Sequence, residues 1–221
     1  MIKLENYEVV GWEHAIRGMR NPLNSWAKSD TKKCSQIDCE DCIFGNTDCG
    51  YIENIIGEND LTLMLKLAKA GSSHSKYRRM IIVYADITAP LYWWKEFDTY
   101  KVGTVANSCS TMHKIHEREL TLDDFSHEKL MLCCLEELQR TIEVINDARE
   151  EFLKSKNKLY WWQMIQLLPS SYNQKRTVML NYEVLANMYK DRKNHKLDEW
   201  RDFCKWVESL PYAEIITGVE E

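Results

Sequence analysis

The sequence predicts an α+β fold in which helices dominate. Two stretches, Tyr7–Val10 and Met80–Thr88, predict strands, and the second is rich in β-branched residues. Several longer stretches carry apolar residues three and four positions apart, which is the spacing of an amphipathic helix. The 221 residues, of which 44% are hydrophobic, can form one substantial core. We therefore expect a single domain over residues 1–221, with a cysteine-containing insertion at about 32–52.

Charge and hydropathy limit the classes of partner. The formal net charge is −5, and acidic and basic residues are interspersed, so no uniform basic surface is available for a nucleic-acid backbone. We do not expect double-stranded nucleic acid as a main partner. The stretch Met1–Ile16 lacks the apolar core of a signal peptide, and no window approaches the roughly 20 apolar residues of a membrane span. We therefore expect a cytoplasmic protein with no membrane partner and with reduced thiols.

Two helices are expected in the N-terminal part. The first is Trp12–Arg20, which Asn21-Pro22 ends. Its apolar face consists of Trp12, Ala15, Ile16 and Met19. The second follows Asn59, whose side chain can cap it, and ends at Gly71, which can adopt the left-handed conformation. The apolar positions of this second helix are Leu61, Met64, Leu65, Leu67 and Ala68.

The segment Pro90–His113 follows the strand Met80–Thr88 and concentrates reactive side chains and turn formers. Its first part is aromatic and charged, with Tyr92, Trp93, Trp94, Lys95, Glu96, Asp98, Tyr100 and Lys101. After Gly103, the polar run Asn107–Thr111 offers amide, thiol and hydroxyl groups that can surround a phosphate or a carbonyl. The segment is therefore either functional or an aromatic-rich core helix that ends in a polar loop.

The C-terminal half is predicted to be helical. A long amphipathic helix is expected from about Ser126 to Phe152, and a second one over Trp161–Leu168, before Pro169. A third helix is expected from about Gln174 to Arg192. The last one lies near Leu197–Leu210.

Four cysteines are clustered in the predicted insertion, namely Cys34, Cys39, Cys42 and Cys49. Four thiolates are what a closed tetrahedral zinc site or an iron–sulfur cluster requires, and the glycines at 45 and 50 can provide turns. The spacing departs from the usual pattern of two zinc knuckles. The open alternatives are a metal site, free thiols and two transient disulfides.

The segment after Pro90 and its flanks resemble the flavin-dependent thymidylate synthases over most of the chain. In that family a histidine-led segment precedes a strand that ends in Ala-Pro, and here His74 leads to Ala89-Pro90 at matching spacing. The family then has an Arg-His-Arg signature and a polar loop. The aligned positions here are Thr99, Tyr100 and Lys101, followed by Asn107, Ser108, Ser110, Met112 and His113.

Towards the C-terminus the family has a Leu-Pro pair, an asparagine that faces the flavin and an arginine that binds the nucleotide. This sequence resembles it in Leu168-Pro169, Asn181 and Arg192. The resemblance implies two catalytic residues, Arg192 and Ser110. It implies four cofactor-binding residues, His74, Lys101, Asn107 and Asn181. Ser108 and Met112 stand where the family has a glutamate and an arginine that bind the nucleotide, so weaker phosphate and pyrimidine contacts are expected.

The resemblance also implies the molecular context. It implies a flavin-dependent thymidylate synthase-like domain with a small antiparallel sheet, assembled as a homotetramer with flavin sites where subunits meet. FAD is the implied cofactor, a dUMP-like pyrimidine deoxynucleotide the implied substrate, and NADPH and methylenetetrahydrofolate the implied co-substrates. The aromatic residues Tyr92, Trp93, Trp94, Trp161 and Trp162 are expected at subunit contacts.

Three functions from different classes stay open. The first is an enzyme that transfers a one-carbon unit to a pyrimidine nucleotide. The second is a catalytically inactive nucleotide-binding protein that kept the fold, and the third is a metal-stabilised interaction protein. Each proposed site residue also has a structural alternative: His74 and Asn107 in turns or caps, Asn181 bonded to a helix backbone, and Arg192 as a surface charge at a helix end.

Overall fold

The computed structural model describes residues 2–33 and 54–218. The strands are β1 (Lys3–Val10), β2 (Lys32–Lys33), β3 (Asn54–Ile55), β4 (Ile82–Pro90), β5 (Val105–Ser108) and β6 (Asn173–Asn181). The helices are α1 (Trp12–Arg20), α2 (Glu58–Lys69), α3 (Leu91–Phe97), α4 (Thr111–Lys114), α5 (Leu132–Ser155), α6 (Lys158–Leu167), α7 (Tyr182–Arg192), α8 (Asp198–Glu208) and α9 (Glu214–Thr217). Short 3-10 turns cover Asn21–Leu23, Trp26–Lys28, Lys76–Met80 and Leu122–Asp124.

Four of the strands form one sheet in the order β1-β4-β6-β5. The small antiparallel sheet and the many helices confirm the predicted α+β class. The short strands β2 and β3 form a separate antiparallel pair, in which Lys32 lies opposite Ile55 and Lys33 opposite Asn54. This pairing fixes the two described positions, Lys33 and Asn54, that flank the cysteine segment.

The chain divides into two compact units, and the first, unit 1, comprises described residues 2–3, 87–99 and 107–177. Its core is built mainly on α5 and α6 and contains Ile115, Leu120, Phe125, Leu138, Ile142, Ile145, Ala148 and Met164. In α3, the buried rings of Trp93, Trp94 and Phe97 lie 4.9–5.2 Å apart between centroids. This helix is therefore the aromatic core helix that was one of the two alternatives. The predicted use of Trp93 and Trp94 at subunit contacts is wrong, because both indoles are buried within the single chain.

Unit 2 comprises described residues 4–33, 54–86, 100–106 and 178–218. The indole of Trp12, on α1, packs edge-on against Tyr182 and Tyr212 with centroids 5.3 Å away in both cases. A buried ion pair joins Arg20 Nε to Asp60 Oδ1 at 2.6 Å, and it links α1 to the first turn of α2. A buried pair is tolerated only with further hydrogen bonds, and Asp60 has several of them.

The N-terminal elements follow the sequence prediction closely. Helix α1 has the predicted bounds, and Trp12, Ala15, Ile16 and Met19 are buried. Gly71 follows α2 with a φ of 97°, the left-handed conformation that was expected of it. The predicted cap was wrong, because Asn59 lies inside α2. The carboxylate of Asp30 caps this end instead, accepting from the backbone N–H groups of Asn59 and Asp60 at 2.9 and 3.1 Å.

Two predicted helices begin later than expected. Helix α5 starts at Leu132 and not near Ser126, because the preceding backbone is extended: Phe125 bridges Tyr172, and the N–H of Ser126 donates to Ser171 O at 2.9 Å. The expected helix from about Gln174 is strand β6 up to Asn181, and only the part from Tyr182 is helical.

In the part of the chain that the structure describes, no helix combines the length and the apolar character that crossing a membrane would require.

Candidate functional site

A cavity of about 620 Å³ lies in unit 1 beside the loop that carries Ser110, and we call it the Ser110 cavity. Its walls come from β1, β4 and β6, from the loop before α4 and from the segment between α4 and α5. The lining side chains are Lys3, Thr88, Cys109, Ser110, Lys114, Ile115, Glu117, Arg118, Leu120, Asp123, Asp124, Tyr172, Asn173 and Lys175. A few convergent polar groups in a concave site are typical of a small-molecule site, and this lining suits a polar ligand.

The predicted polar run Asn107–Thr111 comprises the end of β5, a short loop at Cys109 and Ser110, and the start of α4, and its loop is fixed against β6. The backbone N–H of Cys109 donates to Lys175 O at 2.9 Å. The amide of Gln174, which is only 9% exposed, donates to Cys109 O and to Thr111 Oγ1, both at 3.0 Å. Because Gln174 binds the loop from the buried side, Cys109 and Ser110 contribute to the wall of the cavity.

Ser110 is the N-cap of α4. Its Oγ accepts a hydrogen bond from the backbone N–H of His113 at 3.1 Å. A hydroxyl that accepts one hydrogen bond can still donate one. The structural role of Ser110 is therefore compatible with donation to a ligand in the cavity.

The charges around the Ser110 cavity are nearly balanced. Arg118 forms a bidentate ion pair with Asp124, with Nη1 2.8 Å from Oδ2, and Lys114 forms an ion pair with Glu117. Burial alone would raise the pKa of Asp124, but hydrogen bonds from Arg118 and the Thr121 backbone outweigh burial and lower this pKa. Part of the positive charge is thus already neutralised, and an anionic ligand would have to share these cations.

In unit 2, Arg192 is held by aromatic rings. Its guanidinium carbon lies 4.9 Å from the ring centroid of Trp200 and 5.5 Å from that of Tyr100. Its Nε donates to the hydroxyl of Tyr100 at 2.9 Å. Cation–π contacts of this kind orient a guanidinium, so Arg192, the last residue of α7, is a positioned cation.

Asn181 is buried at the junction of β6 and α7. Its Oδ1 accepts from the N–H of Val184 at 2.9 Å, so it caps α7 as the structural alternative expected. Its Nδ2 lies against Gly103, where a Cβ atom would come within 2.5 Å of it. This contact fixes the turn that carries the exposed side chain of Lys101.

His74 and Asn107 have fewer contacts that define a role. His74 is exposed in the turn after α2, and its backbone N–H donates to Gly71 O at 3.0 Å. Asn107 is exposed in β5. Asn107 and Ser110 lie in unit 1, while His74, Lys101, Asn181 and Arg192 lie in unit 2. The convergence of the two groups stays a prediction.

A second cavity, of about 420 Å³, lies in unit 2 between α2, α7 and α9, and we call it the Arg78 cavity. Its charged and amide side chains are Lys69, Arg78, Glu183, Asn187, Lys190, Lys193 and Glu214. The Nε of Arg78 lies 2.8 Å from Glu183 Oε2, so the two side chains form a close ion pair. The Nε–H bond is not directed at this oxygen, so the ion pair does not include a hydrogen bond from Nε. Glu183 also accepts from the hydroxyl of Ser75 at 3.1 Å.

Three of these residues were not predicted from the sequence, and each is linked to a predicted one. Arg78 follows His74 by four positions, and Glu183 follows Asn181 by two. Trp200, which stacks on Arg192, lies on the next helix. The proximity of Arg78 and Glu183 to predicted site residues was the available signal, whereas the contact of Trp200 depends on the packing of α7 and α8.

The four cysteines of the predicted metal site, Cys34, Cys39, Cys42 and Cys49, lie outside the described residues. Within residues 2–33 and 54–218, no group of three or more His, Cys, Asp or Glu side chains could hold a metal ion. The metal site therefore stays a prediction from the sequence.

Comparison of the fold with solved structures gives whole-length matches, although no family model and no curated protein sequence matches this chain. Thymidylate synthase X from Helicobacter pylori, complexed with FAD and dUMP, has a TM-score of 0.65 and 16% identity, covering 100% of this chain and 99% of that chain. The UMP/dUMP methylase PolB from Streptomyces cacaoi, bound with 5-Br dUMP, has a TM-score of 0.59 and 12% identity, covering 98% and 94%. At such identities the similarity establishes architecture, and this chain has the fold of the flavin-dependent thymidylate synthases.

Proposed function

We propose that this protein binds FAD and a dUMP-like pyrimidine deoxynucleotide and transfers a one-carbon unit to the pyrimidine. The observation that carries this proposal is the whole-length match to two kinds of protein whose structures contain dUMP or a brominated analogue. In this proposal the chain is a divergent methyltransferase of the flavin-dependent thymidylate synthase type. Fold similarity alone is a weak guide to activity, so specific residues are also assigned to the nucleotide and to the cofactor.

The nucleotide is proposed to bind at the Ser110 cavity. The loop that lines it is the one in which the sequence resembles the family's nucleotide-binding loop. Ser110 would donate a hydrogen bond to the ligand in this cavity. Arg192 is proposed to bind a phosphate group of the nucleotide through charge-assisted hydrogen bonds. Because the rings of Tyr100 and Trp200 orient the guanidinium of Arg192, little rotamer entropy would be lost when it binds a phosphate.

Unit 2 contains the types of side chain that could bind a flavin dinucleotide. The Arg78 cavity offers Lys190, Lys193 and Asn187 to a diphosphate, and Arg78 already neutralises Glu183. His74, Lys101, Asn107 and Asn181 are proposed as further cofactor-binding residues. When bound, the flavin supplies hydride chemistry, and the protein has to bind the ring, orient it and exclude water.

NADPH and methylenetetrahydrofolate are proposed as co-substrates. A methyl group made from a methylene unit requires two electrons in addition to the carbon. A nicotinamide cofactor is a hydride source for a flavin, and the folate would carry the carbon.

The second candidate is a nucleotide-binding protein without catalysis, and one observation favours it. Met112, at the position where the family has an arginine, is 53% exposed, and its thioether cannot form charge-assisted hydrogen bonds to a phosphate. Lys114 and Arg118 near this position are engaged with carboxylates. Such a site would bind a nucleotide weakly or prefer an uncharged analogue.

The test is the absorbance spectrum of the purified protein followed by calorimetry with FAD and dUMP. Flavin bands and binding of both ligands, followed by methylation of dUMP when NADPH and methylenetetrahydrofolate are added, would support the enzyme. Binding of both ligands without turnover would favour the inactive binding protein. If neither ligand binds, the proposal fails.

A further inference from the structure

Cys133 and Cys134 form a pair of exposed, adjacent thiols in the first turn of α5. Their Sγ atoms are 4.0 Å apart, and both cysteines are free. α5 is 24 residues long and begins at Leu132, so both residues lie where the helix dipole favours negative charge.

The geometry of this pair is unsuited to a disulfide. The Cα atoms of neighbouring residues joined by a trans peptide are about 3.8 Å apart. Disulfides usually join Cα atoms that are about 4.4–6.8 Å apart. A disulfide between Cys133 and Cys134 would therefore require distortion of the first turn of α5.

The same geometry suits a shared metal ion. An ion at about 2.3 Å from each of two thiolates, in tetrahedral geometry, places the two sulfurs about 3.8 Å apart. The observed separation of 4.0 Å is close to this value, and both thiols can be reached from solvent. A small adjustment of the side chains would form the chelate without a change in the helix.

We propose that Cys133 and Cys134 form a two-thiolate site for a thiophilic cation of the zinc, cadmium and copper(I) class. Two thiolates bind the ion, and the two displaced protons go to solvent. Over the described ranges 2–33 and 54–218, no third His, Cys, Asp or Glu side chain joins the pair. Two positions of a tetrahedral ion are therefore open on one chain.

We propose that a second copy of this chain supplies the thiolate ligands at the two open coordination positions of the ion. Leu130, Met131 and Leu132, beside the thiols, are 42%, 71% and 72% exposed, and a cluster of exposed apolar side chains marks a contact surface. If two copies meet there, their two pairs supply four thiolates, which is the ligand set of a closed zinc site.

The experiment is a zinc titration against a chromophoric chelator, with protein kept reduced by a phosphine. Wild type is compared with Cys133→Ser/Cys134→Ser, and both retain all other cysteines, so their difference reports this pair alone. We expect wild type to hold one additional zinc ion per two chains. One additional ion per chain would overturn the second copy as the occupant. Single serine variants should bind this ion on the order of 100-fold more weakly, because chelation is lost.

A matched control keeps the number of thiols and separates them. In Leu132→Cys/Cys133→Ser the two thiols are two positions apart, and at 3.6 residues per turn such side chains project from nearly opposite sides of the helix. Circular dichroism should show an unchanged fold for all variants, because the altered side chains are exposed. Equal zinc content and affinity in wild type and Cys133→Ser/Cys134→Ser would overturn the proposal, as would full retention of the site in the control.

Discussion

The guanidinium of Arg192 illustrates how local packing prepares a single side chain for binding. The indole of Trp200 and the phenol of Tyr100 restrict its rotamers, and one N–H is already bonded to Tyr100. The remaining N–H groups keep a fixed direction. A cation that is oriented before binding recognises phosphate at a lower entropic cost than a mobile lysine.

We predict that Arg192→Ala weakens dUMP binding by on the order of 1.5–3 kcal/mol, the contribution of charge-assisted hydrogen bonds. FAD retention should change less. Lys196→Ala is the control, because this exposed cation lies close in sequence and is not stacked on a ring. Calorimetry on the three proteins measures the effect, and unchanged dUMP binding in Arg192→Ala would remove Arg192 from the site.

Asp60 is the most densely bonded carboxylate that we describe in unit 2. It accepts from Arg20 Nε at 2.6 Å and from the hydroxyls of Ser29 and Thr31 at 2.7 Å each. Burial alone would raise the pKa of Asp60, but the hydrogen bonds from Ser29, Thr31 and Arg20 outweigh burial and lower this pKa below its ordinary value. The carboxylate therefore ties α1 and the 29–31 segment to α2.

We predict that Asp60→Asn destabilises the protein by about 3–5 kcal/mol at neutral pH, because Arg20 would be left buried without a counter-ion. A carboxylate with a lowered pKa stabilises the fold above its unfolded pKa, and this contribution is lost as pH falls through the folded value. The difference from wild type should therefore shrink below about pH 4. Urea unfolding across this range measures it, with Lys205→Ala, from an exposed pair, as the neutral control. A pH-independent difference would contradict the assignment.

Among the elements, α1 and α8 could be predicted from hydrophobic spacing, because each has one apolar face against a core. The strand β6 could not be separated from α7 in this way. Val178, Tyr182 and Leu185 are spaced as on a helix, yet Val178 and Leu180 are buried by strand alternation. The same apolar positions fit both the helical and the strand spacing, so the sequence pattern does not distinguish the two structures. Pairing with strands that are distant in sequence determines that this stretch is a strand.

The candidate site could be predicted only in part, because some of its contacts also depend on residues that are distant in sequence. The polar loop at Asn107–Thr111 is recognisable because its residue types are unusual together, and the structure places Cys109 and Ser110 at a cavity. The Arg78–Glu183 pair and the stacking of Arg192 on Trp200 join residues that are far apart in sequence or on separate helices. No local pattern specifies such contacts.

The turn between α3 and β5 depends on Gly103. Its φ is 84°, and a Cβ atom there would meet Asn181 Nδ2 at 2.5 Å. Gly71 has a similar φ of 97°, but no described atom lies within 4 Å of the position that a Cβ atom would take there. Comparing the two glycines therefore separates backbone strain from steric conflict.

We predict that Gly103→Ala loses about 1–3 kcal/mol more stability than Gly71→Ala, because both share the strain but only the first is overpacked. Denaturant unfolding measures the difference. Since Asn181 is a proposed cofactor residue, Gly103→Ala should also retain less FAD, while Gly71→Ala should not. Equal losses in the two variants would show that the contact with Asn181 is unimportant.

For the chain as a whole, metal content tests the cysteine segment. If Cys34, Cys39, Cys42 and Cys49 converge, the protein should carry about one zinc per chain, or an iron–sulfur cluster when prepared without air. Elemental analysis of wild type and Cys39→Ser/Cys42→Ser measures this, and both proteins retain Cys133 and Cys134. Equal metal content in the two would refute a site in this segment.

Assembly is the last property to be tested, and exposed apolar side chains of α5 and α6 give the prediction its physical basis. Val144, Leu159, Trp162 and Leu167 are 47%, 60%, 41% and 42% exposed in the single chain. Large apolar side chains exposed along two neighbouring helices are typical of a contact between subunits.

We predict a homotetramer, which light scattering would show at micromolar concentration. Leu159→Glu/Trp162→Glu should shift it towards smaller species, because a buried unpaired carboxylate opposes association. Leu23→Glu, at an apolar residue that is 59% exposed elsewhere, should leave it unchanged. A monomeric wild type would exclude any active site that requires residues from two subunits.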